Sequence, residues 1–342
     1  MRQIFVPAVG QYENIGDIVL RRPLLDFLRP HGRLHIYLGP SPEGYRAGLA
    51  LHDEDVVYSS FPTWYRALVR SGTDYAFKPG EIQLSAAGMK EHVAMLPALA
   101  LIRLRRGSVV RVGSGAREAS GAWALPVRPS VGLSTLVAWR DGDTARLLGG
   151  EVMPDLGFAT GSGGDGRHRG VLVVSMRGDR PSPSDDWIEA GRRVSDQRGL
   201  TIVAATQVRR DDARTRELAE RLDGTAITWD GVDHARQEDA LRDLYRGCAI
   251  AVSDRLHVLI TAVTEGAAPV APLTAPSTKI DRHLLAAGFP AVSFDAAEAN
   301  SGQIVELIEA NLALLDDIPG LLATASDRIR SVAERIEQGL SR

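Results

Sequence analysis

The fold is decided by a stretch in the second half of the chain, CAIAVSDRLHVLITAVTEGAAPVAPL (residues 248–273). Its first residues, 248–252, are small and apolar, as in a parallel strand that is covered on both faces. A helical pattern follows over 258–266 and ends at Gly266, and a second apolar run occupies 268–273. Strand, helix and strand at this spacing predict parallel strands joined by a helix.

The same alternation of short apolar runs and helical patterns extends over both halves of the chain. A glycine-rich stretch, GSGGDGRHRG (161–170), interrupts it and is typical of a linker. We therefore predict an α/β protein with two Rossmann-like domains that face each other across a cleft. The predicted domains are 1–160 (N-terminal, acceptor side) and 171–318 (C-terminal, donor side), followed by a C-terminal helix, 319–342, that packs back on the first domain.

The composition narrows the classes of function. The chain has 342 residues, 44% of them hydrophobic, and a net charge of −3, which together with scattered arginines gives no reason to expect nucleic acid. The single cysteine, Cys248, excludes a disulfide framework and fits a reducing cytoplasm. No signal peptide and no apolar run long enough for a membrane span is visible, so we expect a cytoplasmic protein.

Arg255 and His257 lie where the strand of the opening stretch ends and its helix begins. Free backbone N–H groups and the helix dipole favour an anion at such a position, and a guanidinium strengthens that preference. Histidine titrates near neutral pH. The pair therefore suits a site that holds a phosphate or carboxylate and moves a proton. The alternative is a surface arginine and a histidine that is satisfied at a helix start.

Further arginines follow other strands of the predicted C-terminal domain, namely Arg177, Arg209 and Arg210. Because parallel strands end at one edge of a sheet, two or three of these side chains are expected to converge with Arg255 on a small, doubly anionic ligand. Lys279, near the start of a later helix, is a further candidate. Each of these side chains, taken alone, is more often a solvated surface residue.

The first strand, predicted over 4–9, ends in GQYENIGD (10–17). Gly10 permits a tight exit from the strand. Asn14 and Gly16 flank the start of a helix, and Asp17 lies in its first turn. Pro23, inside this helix, should cause a kink or a break. An ordinary helix cap would also explain Asp17. The dinucleotide fingerprint G-x-G-x-x-G is absent, which argues against NAD or FAD. Another strand, 108–112, is predicted to end at Gly113, Ser114 and Gly115.

The sequence offers no pattern of metal ligands. Its eight histidines include no H-E-x-x-H, and Asp211 and Asp212 lie where capping of a helix is sufficient. No G-x-S-x-G elbow is present either. We expect no metal and no cofactor.

These motifs, in this order, resemble the polysaccharide pyruvyl transferase family. The resemblance covers nearly the whole chain and rests on the following residues: Asn14-Ile15-Gly16-Asp17, Arg140-Asp141, Pro154-Asp155, Ser175-Met176-Arg177, Gln207 with Asp211 or Asp212, Arg255-Leu256-His257, Gly266 to Pro269, and Lys279. The chain departs from the family in its turn after Gly266, AAPVAPLTAP, which lacks a tyrosine, and after Gly115.

The resemblance implies a GT-B-like fold and a transferase that moves the enolpyruvyl group of phosphoenolpyruvate onto a sugar of a cell-envelope or secreted glycan as a ketal. In that reaction Arg177 and Arg255 would clamp the donor, with help from the helix start at Ser253, and with Arg209 and Lys279 nearby. Protonated His257 would be the acid, and Asp17 the base. Asn14, Gly16 and Ser114 would lie on the acceptor side.

Two other functions remain open at this point. One is a GT-B glycosyltransferase that uses a nucleotide sugar, and the other is a non-catalytic member that binds a glycan or an anion. The acceptor could be lipid-linked. The last helix, 321–339, has an apolar face and several arginines, which is compatible with association at the inner face of an anionic membrane. Packing against the first domain is the alternative. The sequence does not indicate an oligomeric state.

Overall fold

The computed structural model describes residues 1–117, 121–161 and 169–340 and divides the chain into two compact units. The first unit comprises Met1–Tyr12, Asp17–Ala159 and Ser326–Arg342, and the second comprises Glu13–Gly16 and Thr160–Ala325. Most of the predicted linker, 162–168, lies outside the described residues. Each unit is built on its own parallel sheet, so the predicted α/β class is confirmed.

The first unit contains an eight-stranded sheet in the order β3-β2-β1-β4-β6-β7-β8, with β5 also paired to β6. Its strands are β1 (Gln3–Pro7), β2 (Arg33–Tyr37), β3 (Val56–Tyr58), β4 (Asp74–Ala76), β5 (Gly80–Ile82), β6 (Val109–Ala116), β7 (Leu136–Trp139) and β8 (Glu151–Val152). All pairs are parallel. Parallel strands need helical crossovers, which the intervening helices supply.

These helices are α1 (Ile15–Leu28), α2 (Glu43–Gly48), α3 (Phe61–Ser71), α4 (Ala86–Leu104), α5 (Gly121–Ala124), α6 (Arg128–Gly132) and α7 (Gly142–Leu148). The last helix of the chain, α14 (Ile318–Leu340), belongs to the first unit from Ser326 onward. There the hydroxyl of Ser108 donates a hydrogen bond to the carbonyl of Gly339 over 2.6 Å.

The core of the first unit contains an unusual buried cation. Arg111, in β6, is fully buried, and its guanidinium carbon lies 3.4 Å from the centre of the Phe77 ring. Its Nη2 donates to the hydroxyl of Ser130 over 2.9 Å, and burial lowers the pKa of Arg111 to about 9. His92 stacks on the same phenyl ring, and burial, with Arg111 adding to it, lowers the pKa of His92 to about 4. Neutral histidine is therefore favoured here.

The second unit has a six-stranded parallel sheet in the order β11-β10-β9-β12-β13-β14. Its strands are β9 (Val171–Ser175), β10 (Thr201–Ala205), β11 (Thr225–Ile227), β12 (Cys248–Ser253), β13 (Ala268–Leu273) and β14 (Ser293–Asp295). This is the doubly wound order of a Rossmann fold, in which ligands bind at the carboxyl ends of the central strands. Here the central strands are β10, β9 and β12.

The helices of the second unit are α8 (Asp185–Arg198), α9 (Asp212–Arg221), α10 (His234–Arg246), α11 (Leu256–Thr264), α12 (Lys279–Ala286) and α13 (Ser301–Leu312). Polar side chains cap several of them. Ser184 caps α8, Asp233 caps α10, and Asn300 forms a capping box with Gln303 at the start of α13. Such caps satisfy backbone N–H groups that have no partner inside the helix.

The structure differs from the expectations at several single elements. The strand predicted over 108–112 continues to Ala116, because Gly113, at φ 69°, takes up a shift of register against β7 as a bulge would. Helix α1 passes through Pro23 as one helix. Two short strands, β4 and β14, were not predicted.

Candidate functional site

The carboxyl edge of the second sheet brings together the loops that carry most of the predicted site. The strand β9 lies between β10 and β12, and Ser175 at its end pairs with Ser253 at the end of β12. The segments that follow these strands contain Arg177, Gln207 and Arg255 with His257. The polar residues that follow these three strands in the sequence thus lie on three adjacent loops at one edge of the sheet.

Ser253 shapes the loop that carries Arg255. It is fully buried, its hydroxyl donates a hydrogen bond to the carbonyl of Ser175, and it accepts one from the backbone N–H of Arg255 over 3.0 Å. The hydroxyl therefore ties the ends of β9 and β12 together. We predicted that Ser253 helps to bind the donor substrate, whereas in the structure its hydroxyl has partners within the protein.

Arg255 forms a two-pronged ion pair with Asp211. Its Nε and Nη2 both donate to the carboxylate, the latter over 2.7 Å, and the two side chains are only 10% and 3% exposed. The same carboxylate accepts from the backbone N–H of Gly178 over 2.9 Å. Asp211 thus links the loops after β9 and β12. Among the described residues nothing hydrogen-bonds to Nη1 of Arg255, which leaves this nitrogen for a ligand.

Arg177 is also paired with a carboxylate. Its Nε and Nη2 donate to Asp179, each over 2.8 Å, and Arg210 reaches the same carboxylate at 3.3 Å. The hydrogen bonds from Arg177 lower the pKa of Asp179 to about 2, and those bonds raise the pKa of Arg177. An anionic donor would therefore compete with Asp179 for the guanidinium.

Asp254 is close enough to Arg177 and Arg255 to feel the charge of both. Its Oδ1 accepts from the backbone N–H of Arg177 over 2.9 Å, and burial raises the pKa of the Asp254 carboxyl. The protonated form is thus favoured more than in an ordinary aspartate. The loops after β9 and β12 are held together by this contact as well as by Asp211.

Arg209 has contacts of a different kind. Its Nη1 lies 2.6 Å from Oε1 of Glu13, and its backbone N–H donates to the carbonyl of Glu13 over 3.1 Å. Half of the Arg209 side chain is exposed. These contacts join Arg209 to the segment Glu13–Gly16, and no contact with the ion pairs of Arg177 or Arg255 is found among the described residues.

Asn14 and Gly16 belong to the second unit, although we predicted them for the acceptor side in the first domain. Oδ1 of Asn14 accepts from the N–H of Gly16 over 3.0 Å, and the N–H of Ile15 donates to the carbonyl of Gln207 over 3.2 Å. Gly16 lies directly against the base of the His257 side chain. His257 is half-buried, in the first turn of α11.

Asp17 and Ser114 lie in the first unit. The Asp17 carboxylate accepts from the N–H of Gln11 over 2.6 Å and pairs with Arg21 at 3.2 Å. Ser114 is buried inside β6 and its hydroxyl donates to the carbonyl of Lys78 over 3.1 Å. The Asp17 carboxylate is therefore held by a cation, and the Ser114 hydroxyl makes a structural contact inside a strand.

Lys279 is the first residue of α12 and is half-buried. Its backbone N–H donates to the hydroxyl of Ser277 over 3.3 Å. It follows β13, the strand next to β12, so it lies at the same edge of the sheet as Arg255.

Two acidic residues of the shared motifs serve the fold of the first unit. Arg140 and Asp155 form a fully buried ion pair at 2.7 Å. Asp141 caps α7 by accepting from the N–H of Thr144 over 2.8 Å. Buried pairs of this kind are costly to break because one charge is then left without a partner.

Sequence reasoning missed two acidic partners of the site, Glu13 and Asp179. It noted Asp211 as a capping residue and as part of a shared motif, but not as the partner of Arg255. The one available signal was the position of Asp179, two residues after Arg177. The separation of Asp211 and Arg255 by 44 residues gives no local pattern. No group of three or more histidine, cysteine or acidic side chains placed to hold a metal ion occurs within residues 1–117, 121–161 and 169–340.

Solved structures that resemble this chain define its fold. UDP-GlcNAc 2-epimerase from Neisseria meningitidis, bound to UDP-GlcNAc, matches with a TM-score of 0.57 at 10% identity over 99% of both chains. Anabaena HepE, in complex with UDP and glucose, matches with a TM-score of 0.56 at 15% identity over 100% of both chains. S. aureus MnaA with UDP matches with a TM-score of 0.56 at 11% identity over 96% of this chain and 91% of its own. The chain therefore has the GT-B fold.

The family follows from the sequence. A family model for polysaccharide pyruvyl transferase matches residues 14–271, so the chain belongs to this family. The match begins at Asn14 and includes the Arg255–His257 stretch. No curated protein matches the chain. Membership and fold together indicate a transferase that modifies glycans. In the part of the chain that the structure describes, no helix is long and apolar enough to cross a membrane.

Proposed function

We propose that this protein transfers the enolpyruvyl group of phosphoenolpyruvate to two hydroxyls of one glycan as a cyclic ketal, with release of phosphate. The observation that carries the proposal is the family match over 14–271, which spans the two arginines and the histidine at one sheet edge. Neither a metal ion nor a cofactor takes part in the proposed reaction.

The donor has two anionic ends, and the site offers two guanidinium groups on neighbouring loops. Arg255 keeps its Nη1 for a ligand, while Asp211 fixes its other edge. Arg177 exchanges Asp179 for an anionic group of the donor, because carboxylates and phosphates bind the same face of a guanidinium. Arg255 therefore acts as a fixed contact and Arg177 as an exchangeable one. Lys279 adds positive charge at this edge.

The reaction needs one acid and one base. Protonated His257 gives its proton to C3 of the donor, which makes C2 electron-poor, and the first sugar hydroxyl forms a bond to C2 and loses its proton to a base. The second hydroxyl then bonds to C2 as the C2–O bond to phosphate breaks. Phosphate leaves with the electron pair of that bond and takes up the proton of the second hydroxyl. We assign the base to Asp17, whose carboxylate is held by Arg21. General acid catalysis typically contributes about 10²–10⁴-fold.

Incubation with phosphoenolpyruvate and a panel of saccharides tests this function. The product should have the mass of the saccharide plus pyruvate less one water, one phosphate should appear per product, and a chelator should leave the rate unchanged. His257→Ala should bind the donor yet lose about 10²–10⁴-fold in turnover, whereas Arg255→Ala should lose donor affinity. Arg198→Ala, which breaks the exposed pair with Glu309, is the control and should behave as wild type.

Two results would contradict the proposal. One is transfer from a UDP sugar without any reaction of phosphoenolpyruvate, which would indicate a nucleotide-sugar transferase. The other is loss of turnover on chelation with recovery on addition of a divalent ion, which would mean that the arginines do not supply the neutralising charge.

A further inference from the structure

Gly16 leaves no room for a side chain beside His257. A Cβ at position 16 would lie 2.8 Å from Cβ of His257, 2.9 Å from its Nδ1 and 3.0 Å from its Cγ. Contacts this short require one of the two groups to move. Two of the three atoms, Cβ and Cγ, form the base of the histidine side chain, so rotation of the imidazole ring alone does not relieve these contacts.

The backbone at Gly16 does not explain the glycine. Gly16 is the second residue of α1, and it is not among the glycines with positive φ. In a helical conformation glycine is less favourable than alanine by roughly 0.5–1 kcal/mol. What the glycine provides here is therefore space for His257.

The segment Glu13–Gly16 is attached to the loop after β10. Asn14 forms an antiparallel bridge with Val208, and the N–H of Ile15 donates to the carbonyl of Gln207. Arg209 binds Glu13 through its backbone and through its guanidinium. These contacts tie the turn before α1 and the first residues of that helix to residues 207–209, so the second unit itself fixes the position of Gly16.

We propose that Gly16 is a positioning residue for His257, and that the segment Glu13–Gly16 belongs to the donor side of the site. The inference rests on the proposed function, because it assigns a task within the proton transfer. Gly16 packs against the side of the imidazole that carries Nδ1, so Nε2 is the nitrogen that faces away from the glycine and delivers the proton. Arg209 acts in this arrangement as an anchor of the segment rather than as a ligand of the donor.

The test replaces Gly16 with alanine and follows His257 directly. The C2 proton of His257 is identified in the NMR spectrum by its loss in His257→Gln, and its chemical shift is compared between wild type and Gly16→Ala. We expect a displaced His257 signal in Gly16→Ala, because the new Cβ pushes on the imidazole. Turnover should fall by up to about 10²-fold, as expected for a misplaced catalytic group, with little change in KM for phosphoenolpyruvate.

Gly320→Ala is the matched control. Gly320 lies in α14 within the second unit, has an ordinary backbone conformation, and a Cβ there would meet nothing within 4 Å. It should leave the His257 signal and the turnover as in wild type. A folded Gly16→Ala protein with an unchanged His257 signal and normal turnover would overturn the inference and leave the proposed function intact.

The NMR measurement separates the two claims. A moved His257 signal in a protein that never transfers pyruvate would retain the positioning role and refute the proposed function. If Gly16→Ala does not fold, Asn14→Ala takes its place, because it removes the acceptor of the Gly16 N–H without adding bulk. A shifted or broadened His257 signal in that variant supports the inference, and an unchanged signal contradicts it.

Discussion

The pair of Asp211 and Arg255 allows the sharpest prediction about the stability of the second unit. Asp211→Asn keeps the shape of the side chain and removes its charge, so the buried guanidinium of Arg255 loses its counter-ion. Breaking a buried pair by removing one partner costs about 3–5 kcal/mol. The asparagine can still accept the 2.9 Å hydrogen bond from Gly178, so we expect the lower end of that range, about 3 kcal/mol.

Urea unfolding of the second unit measures this loss. Trp187 and Trp229 are both buried there and report on it by fluorescence. Combining Asp211→Asn with Arg255→Gln should recover much of the stability, since no buried charge is left. The sum of the losses in unfolding free energy of the two single variants should therefore exceed the loss in the double variant by about 2 kcal/mol or more. Arg198→Gln, at the exposed pair with Glu309, should cost less than about 1 kcal/mol.

The reasoning would be refuted by either of two results. A loss below about 1 kcal/mol in Asp211→Asn would mean that the pair behaves as a surface ion pair. Strictly additive effects in the double variant would mean that Asp211 and Arg255 do not interact.

Three further predictions concern other groups. Asp179→Asn removes the anion that competes for Arg177, and because this pair is partly exposed, calorimetry should show donor binding that is tighter by about two- to fivefold. The folded pKa of His92, about 4, lies below the usual 6.5, so its stabilising effect is full above pH 6.5 and is lost as the pH falls to 4. The unfolding free energy of the first unit should drop over that window by up to about 3 kcal/mol in wild type, and by less in His92→Leu. Burial raises the pKa of Cys248 to about 12, so mass spectrometry should find iodoacetamide on this thiol only after unfolding.

The central sheet of the second unit could be predicted because its signals are local. Strands β9, β12 and β13 are runs of small apolar residues that end in polar ones, and this pattern placed Arg177, Arg255 and His257 at strand ends. The parallel arrangement then brought these ends together. The predicted GT-B-like fold followed from the same alternation of elements and from the family resemblance.

The partners of the site could not be predicted from the sequence, because they depend on pairing between distant residues. Asp211 meets Arg255 only once β9, β10 and β12 are adjacent. The segment Glu13–Gly16 was assigned to the first domain because it directly follows β1 in the chain. It groups with the second unit through backbone contacts to residues 207–209, which no local periodicity indicates. A glycine is found both in bulges and in turns, so the sequence alone does not show that the strand continues past Gly113.

Equilibrium binding of phosphoenolpyruvate tests the central claim most directly, because it needs no knowledge of the acceptor. Isothermal titration of the full chain with phosphoenolpyruvate, and separately with UDP, compares the two donor classes on one site. The account predicts saturable binding of phosphoenolpyruvate that is retained in His257→Ala, weakened in Arg255→Ala and unaffected by UDP. Binding of UDP at a site that Arg255→Ala abolishes, with no binding of phosphoenolpyruvate, would contradict it.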